Sequence, residues 1–228
     1  MKLAIYDFDG TLFERETLPF IVKYYQKNGY SKRKLAKFYI HITRLLAVYK
    51  LKLDPTMDKE KFRAKAAMVF MYLFEEFSKE DLKTFFRHCT TEIVKDFNPG
   101  VLADMKEKKA AGYHTVICSG ANTLLLGEVS KHVPVDTVIG TELHFTDRDR
   151  FDFHAAHRII TGKNKPLALL ESFDRDKVDW DQSFAFGDSY YDVDILSLTG
   201  NPVAVNPDDQ LRAIAAEKGW TIMDASAS

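Results

Sequence analysis

Strand-like and helix-like patterns alternate along most of this chain, and the alternation is broken once, by a stretch of about 80 residues without a strand signal. Before the break, Leu3–Tyr6 is a short apolar run that stops at Asp7. Such a run predicts a buried strand with a polar residue at its carboxyl end. Within the break, patterned stretches at Leu18–Lys27, Ser31–Tyr49, Asp58–Phe77 and Ser78–Lys95 predict about four helices. Ser31 and Ser78 are suited to N-caps, and Ser78-Lys-Glu-Asp sets two acids in a first turn, where the helix dipole favours them. After Asn98-Pro99-Gly100 the alternation resumes. Strands are expected at His114–Cys118, Val135–Ile139, Ser183–Phe186 and Val203–Val205, and a hairpin over Glu142–His154. Helices are expected from Asn98 to Gly112, after Ser119-Gly120 to about His132, after Pro166, after Gly187-Asp188, and from Asp208. Strands alternating with helices over short connections predict an α/β fold, a Rossmann-like parallel sheet with helices on both faces.

The two parts differ in charge. The whole chain has 32 basic and 33 acidic side chains, yet residues 14–96 hold 18 Lys and Arg against 11 Asp and Glu. From Thr17 to Leu53 there are nine basic residues and no acid. The helical stretch also carries 14 of the 27 Phe and Tyr residues, which suggests an aromatic-packed bundle. A net charge of −1 argues against a dedicated nucleic-acid binder. Two cysteines, Cys89 and Cys118, exclude a disulfide scaffold and read as small buried residues. The most apolar window, Leu35–Tyr49, is cut by Lys37, His41 and Arg44, so no spanning segment is expected. With no targeting segment evident, a cytoplasmic protein is expected.

Chemistry concentrates at the strand ends. In an open parallel sheet, ligands bind beyond the carboxyl ends of the strands. Asp7, Ser119 and Asp188 end three of the expected strands, with Asp9, Asp192 and Lys165 near them in the sequence pattern. Four converging carboxylates repel unless a cation is held, and hard oxygen donors favour Mg²⁺. A lysine and a Ser-Gly turn at a helix N-terminus would supply donors for a phosphate.

The run Asp7-Phe8-Asp9-Gly10-Thr11 resembles the first motif of the haloacid dehalogenase superfamily of phosphohydrolases. Ile117-Cys118-Ser119-Gly120, Gly162-Lys163-Asn164-Lys165 and Gly187-Asp188-Ser189-Tyr190-Tyr191-Asp192 resemble its second, third and fourth, in order, over residues 1–205. The insertion between the first two motifs is similar to the helical C1-type cap of the phosphoserine-phosphatase-like subfamily IB. The resemblance implies a core of residues 1–13 and 97–228 and a cap of residues 14–96. It implies a two-step phosphoryl transfer in which Asp7 is the nucleophile and Asp9 the general acid and base. Mg²⁺ would be held by Asp7, the Asp9 backbone carbonyl and Asp188. Asp192 would sit behind, on a metal-bound water or orienting Lys165. Ser119, Gly120 and Lys165 would bind the phosphoryl group, with Lys163 as a rival for the lysine role.

The resemblance also bears on substrate. Glu16 matches the glutamate with which phosphoserine phosphatases bind a substrate amine, and Arg63 is a candidate for the carboxylate of such a substrate. Tyr191 stands where many of those enzymes have asparagine. The expected substrate is a small phosphate ester such as phosphoserine, histidinol phosphate or a related amino-alcohol phosphate. An alternative is a lipid phosphate of the phosphatidylglycerophosphate type, reached through peripheral membrane contact by the basic cap. A non-catalytic binding module is the third reading, disfavoured by retention of Asp7, Asp9, Lys165 and Asp188. Oligomeric state is not encoded in any pattern found.

Overall fold

The Leu3–Tyr6 run forms strand β1, and all four of its side chains are buried, as expected of a central parallel strand covered on both faces. The structure, a computed structural model, describes residues 1–224. After β1 come four helices, α1 (Thr17–Lys27), α2 (Lys32–Lys50), α3 (Lys59–Met71) and α4 (Lys79–Ile93). Then follow α5 (Pro99–Ala110), β2 (His114–Asn122), α6 (Thr123–Val129), β3 (Thr137–Thr141) and α7 (Asn164–Ser172). The chain continues through β4 (Phe184–Gly187), α8 (Val193–Leu196), β5 (Asn201–Val205), α9 (Asp209–Lys218) and β6 (Thr221–Met223).

The six strands form one sheet in the order β3-β2-β1-β4-β5-β6, with every pair parallel. Side chains alternate across it, so two apolar layers form. Tyr6, Ile117, Phe186 and Val205 belong to one layer, which α5, α6 and the inserted helices cover. Leu3, Ile5, Val116 and Ala204 belong to the other, under α7, α8 and α9. This is the Rossmann-like core with a helical insertion that the alternation implies.

The insertion packs on aromatic rings. Phe74, Phe85 and Phe86 meet at 5.2–5.8 Å between ring centroids, and Tyr25 lies 6.2 Å from both Phe74 and Phe85. The chain leaves and re-enters the sheet layer through paired backbone. The Glu14 amide donates to the Asp96 carbonyl at 3.0 Å and the Asn98 amide to the Leu12 carbonyl at 2.8 Å.

Four local expectations need correction. Glu142–His154 is not a hairpin of strands but a loop closed by one antiparallel bridge, Phe145 to Phe151. The Thr146 amide donates to the Arg150 carbonyl at 2.8 Å and the Asp152 amide to the His144 carbonyl at 2.9 Å, while the outward-facing Phe151 amide donates to the Phe77 carbonyl of the insertion at 2.8 Å. The expected third helix ends at Met71 and continues as a 3₁₀ turn over Tyr72–Phe74. β2 runs to Asn122 across a register shift after Cys118, so Ser119 and Gly120 lie on the strand and not at a helix N-terminus. Asn122 caps α6 instead, accepting from the Leu125 amide at 2.9 Å. Finally, β6 adds an edge strand after the last helix, where none was expected.

Candidate active site

Asp7 and Asp188 directly follow β1 and β4, and Ser119 lies on β2 just past its register shift; the three strands are adjacent and parallel, so these residues meet on one side of the sheet. The Asp7 amide donates to the Phe186 carbonyl at 2.9 Å, which fixes the first residue past β1. Lys165, the second residue of α7, is buried and points inward. Its Nζ lies 2.8 Å from Asp7 Oδ1 and 2.5 Å from Asp192 Oδ1. Lys163, the rival, is exposed.

Asp192 is fully buried, and its second oxygen accepts from the Ser189 amide at 3.1 Å and the Ser189 hydroxyl at 3.0 Å. It therefore anchors Lys165 from behind. Two glycines make this density possible. A Cβ on Gly187 would lie 2.5 Å from the Asp192 Cβ. Gly10, at φ +74°, would set one 2.2 Å from Asp188 Oδ2 and also holds a backbone conformation that side chains resist.

The charges do not balance. Asp7, Asp188 and Asp192 each bring an oxygen within 4.8 Å of the others, and one ammonium, Lys165, faces them. If all ionise, two negative charges remain. Burial pushes the Asp188 carboxyl up, and the carboxylates of Asp7 and Asp192 push it further. Asp7 is also raised by burial, against the opposing pull of Lys165. Burial alone would lower Lys165, but Asp192 and Asp7 outweigh it and hold the ammonium charged. A divalent cation fits this donor set in charge and in chemistry, so the cluster can hold one.

Asp9 is turned differently. Its Oδ1 accepts from the Thr17 amide at 3.0 Å and from the Thr17 hydroxyl. The carboxyl thus ties the start of α1 to the end of β1. Burial raises it to about 7, against the lowering effect of the Thr17 hydroxyl. A carboxyl near neutrality can both give and take a proton.

The Ser119 side chain is buried, and its Oγ accepts from the Ala121 amide at 3.2 Å. The Thr141 hydroxyl donates to the Gly120 carbonyl at 2.8 Å and steadies the bulged strand end. Above these groups opens a cleft of about 160 Å³. Asp7, Asp9, Ser119, Gly120, Lys165 and Asp188 line its polar side, and Leu18, Ala67, Phe70 and Met71 form an apolar wall contributed by the inserted helices. Glu16 and Arg63 both reach the cleft, 3.8 Å apart. The Arg63 guanidinium also lies 4.6 Å from the Tyr191 ring centroid, with Lys59 Nζ at 5.3 Å.

Every site residue expected from the sequence thus meets at or directly behind one cleft. Sequence reasoning missed Thr17 as the partner of Asp9, the packing of Arg63 on Tyr191, and the apolar wall. The sequence gives no local signal for the first two, since each joins segments separated by a change of element.

The pattern of the haloacid dehalogenase-like hydrolases matches residues 4–197. The chain belongs to this family. As a haloacid dehalogenase-like hydrolase it is 28% identical over 159 residues to a histidinol-phosphatase of Neisseria meningitidis, covering 65% of this chain and 68% of that one. It is 31% identical over 114 residues to a phosphoserine phosphatase of Mycobacterium tuberculosis, covering 50% of this chain and 37% of that one. The chain therefore spans little more than a third of that relative's length. A crystal structure of a protein of unknown function from Bordetella pertussis Tohama I superposes with a TM-score of 0.82 at 19% identity, covering 98% of each chain. At that identity the likeness is one of fold. Membership of this family, together with the cluster of Asp7, Asp188 and Asp192, supports a catalytic hydrolase.

Proposed function

We propose that this chain is a Mg²⁺-dependent phosphomonoester hydrolase that works through a phosphorylated Asp7. The observation that carries the reading is the placement of the Asp7 carboxylate in the cleft, one oxygen held 2.8 Å from Lys165, with Asp9 two residues away and raised to about 7. Residues 1–13 and 97–228 act as the catalytic core, and residues 14–96 as a cap over the cleft.

In the first step an Asp7 oxygen attacks phosphorus and the ester P–O bond breaks, while protonated Asp9 gives its proton to the leaving oxygen. In the second, the Asp9 carboxylate takes a proton from a water that attacks phosphorus, the P–O bond to Asp7 breaks, and phosphate leaves. Lys165, the Ser119 hydroxyl and the Gly120 amide stabilise charge on the phosphoryl oxygens. Asp7, Asp188 and the Asp9 carbonyl would hold Mg²⁺, which when bound would supply positive charge against the carboxylates and the phosphoryl group. Asp192 keeps Lys165 charged and aimed at Asp7.

The substrate is a small phosphate ester with an amine on its leaving group, phosphoserine or a related amino-alcohol phosphate such as histidinol phosphate. Glu16 and Arg63 support this, because they bring opposite charges to the cleft. The names of the Neisseria and Mycobacterium relatives point the same way. A panel of phosphoserine, histidinol phosphate, sugar phosphates, phosphatidylglycerophosphate and p-nitrophenyl phosphate tests it. Glu16→Gln is expected to raise KM about tenfold for amine-bearing esters and to leave p-nitrophenyl phosphate unchanged. Equal effects on both, or a preference for the lipid phosphate, would refute the assignment.

A further inference from the structure

This chemistry leaves unused the outer face of α2 and the turn after it. Among the described residues, Met1, Tyr39, Ile40, Leu46, Leu51, Leu53, Leu167 and Tyr190 are the exposed large hydrophobic residues. Five of these eight fall between residues 39 and 53. Only Lys34, Leu35 and Phe38 of α2 are buried, so much of this 19-residue helix stands out from the bundle. Leu51 and Leu53 at its end are 68% and 66% exposed.

The same face is strongly basic. Thr17–Leu53 contains no acid, and of its nine cations only Lys34 is buried, where it pairs with Glu76 at 3.4 Å. On a helical projection Ala36, Ala47 and Ile40 lie side by side, with Arg33, Arg44 and Lys37 along one border and Lys32 and Lys50 along the other. Lys50 and Lys52 bracket Leu51. An apolar strip edged by cations matches a helix lying in a lipid headgroup layer, its apolar atoms in the acyl boundary and its cations on anionic phosphates.

We propose that α2 and the Leu51–Leu53 turn dock this protein onto an anionic phospholipid surface. Charge selects this occupant over others. A second copy would bring a like-charged face against this one, and a nucleic acid would leave the leucines without an apolar partner. Lys59, at the other end of the same turn, sits 5.3 Å from the Tyr191 ring beside the cleft. Docking would therefore hold the cleft close to the lipid surface. The inference does not depend on the phosphatase reading, because its test reads binding and not turnover.

The test is co-sedimentation of the full chain with vesicles of phosphatidylcholine alone or mixed with phosphatidylglycerol, at low and at high salt. Binding is expected to the mixed vesicles, to weaken at high salt, and to be absent from neutral ones. Leu51→Ser with Leu53→Ser, and separately Arg44→Glu with Lys50→Glu, are each expected to weaken it about tenfold or more. All these side chains are exposed, so both variants should keep the wild-type melting temperature and hydrolysis of p-nitrophenyl phosphate. Indifference to phosphatidylglycerol, or wild-type binding by both variants, would overturn the proposal. So would a concentration-dependent dimer that the leucine variant abolishes, or retention on a single-stranded oligonucleotide in place of vesicles.

Discussion

Asp9 shows how a single hydrogen-bond partner sets a carboxyl to work. Burial alone would push it higher, and the Thr17 hydroxyl and amide bring it back to about 7. As the proton donor of the first step it must be protonated, so kcat/KM is expected to fall as pH rises through about 7. Thr17→Val removes a lowering interaction, which should move that limb to higher pH and cut kcat about tenfold. A pH profile whose limb stays in place would show that Thr17 serves only to anchor α1. Asp7, Asp188 and Lys165 were legible in the sequence because each sits next to a glycine-rich or strand-end signal whose geometry is local. The Asp9–Thr17 and Arg63–Tyr191 contacts were not, because neither spacing corresponds to a helix or strand repeat. They exist only once α1 and α3 have packed over the sheet.

Local chemistry fixes some elements more firmly than others. α4 begins with a complete capping box. The Asp81 amide donates to Ser78 Oγ at 3.0 Å, and Asp81 Oδ2 accepts from the Ser78 amide at 2.9 Å. Ser78→Ala is expected to cost about 1 kcal/mol, read as a lower urea midpoint with unchanged slope. A shift within error would mean that packing of Phe85 and Phe86 alone fixes the helix start. This cap was readable from four residues. The loop at Glu142–His154 was legible only as a turn-back: its arms pair at Phe145 and Phe151 alone, too short a ladder for strands, and the outward-facing Phe151 amide bonds to the insertion. β6 was missed because three residues carry too little pattern, and it is the edge of β5 that recruits them.

At the scale of the whole molecule, a near-neutral total conceals a basic insertion and an acidic core whose cluster has two more negative groups than positive. Asp7, Asp9 and Asp188 are all raised by burial. The folded chain therefore retains protons that the unfolded chain releases above about pH 4. The stability tied to those protons is fully present below that value and is lost as pH rises through the folded values, of which that of Asp9 is about 7. The melting temperature without metal is expected to fall between about pH 4 and 7, and Mg²⁺ to restore more of it the higher the pH. A melting temperature indifferent to Mg²⁺ across that range would remove the metal from the account. The central claim, that Asp7 carries the phosphoryl group, is tested most directly by acid-quenching the enzyme during turnover of a phosphate ester with Mg²⁺ and mapping phosphorylated peptides by mass spectrometry. One phosphoryl group is expected on the peptide that contains Asp7, and neither label nor turnover in Asp7→Asn. Undiminished turnover by Asp7→Asn would contradict it.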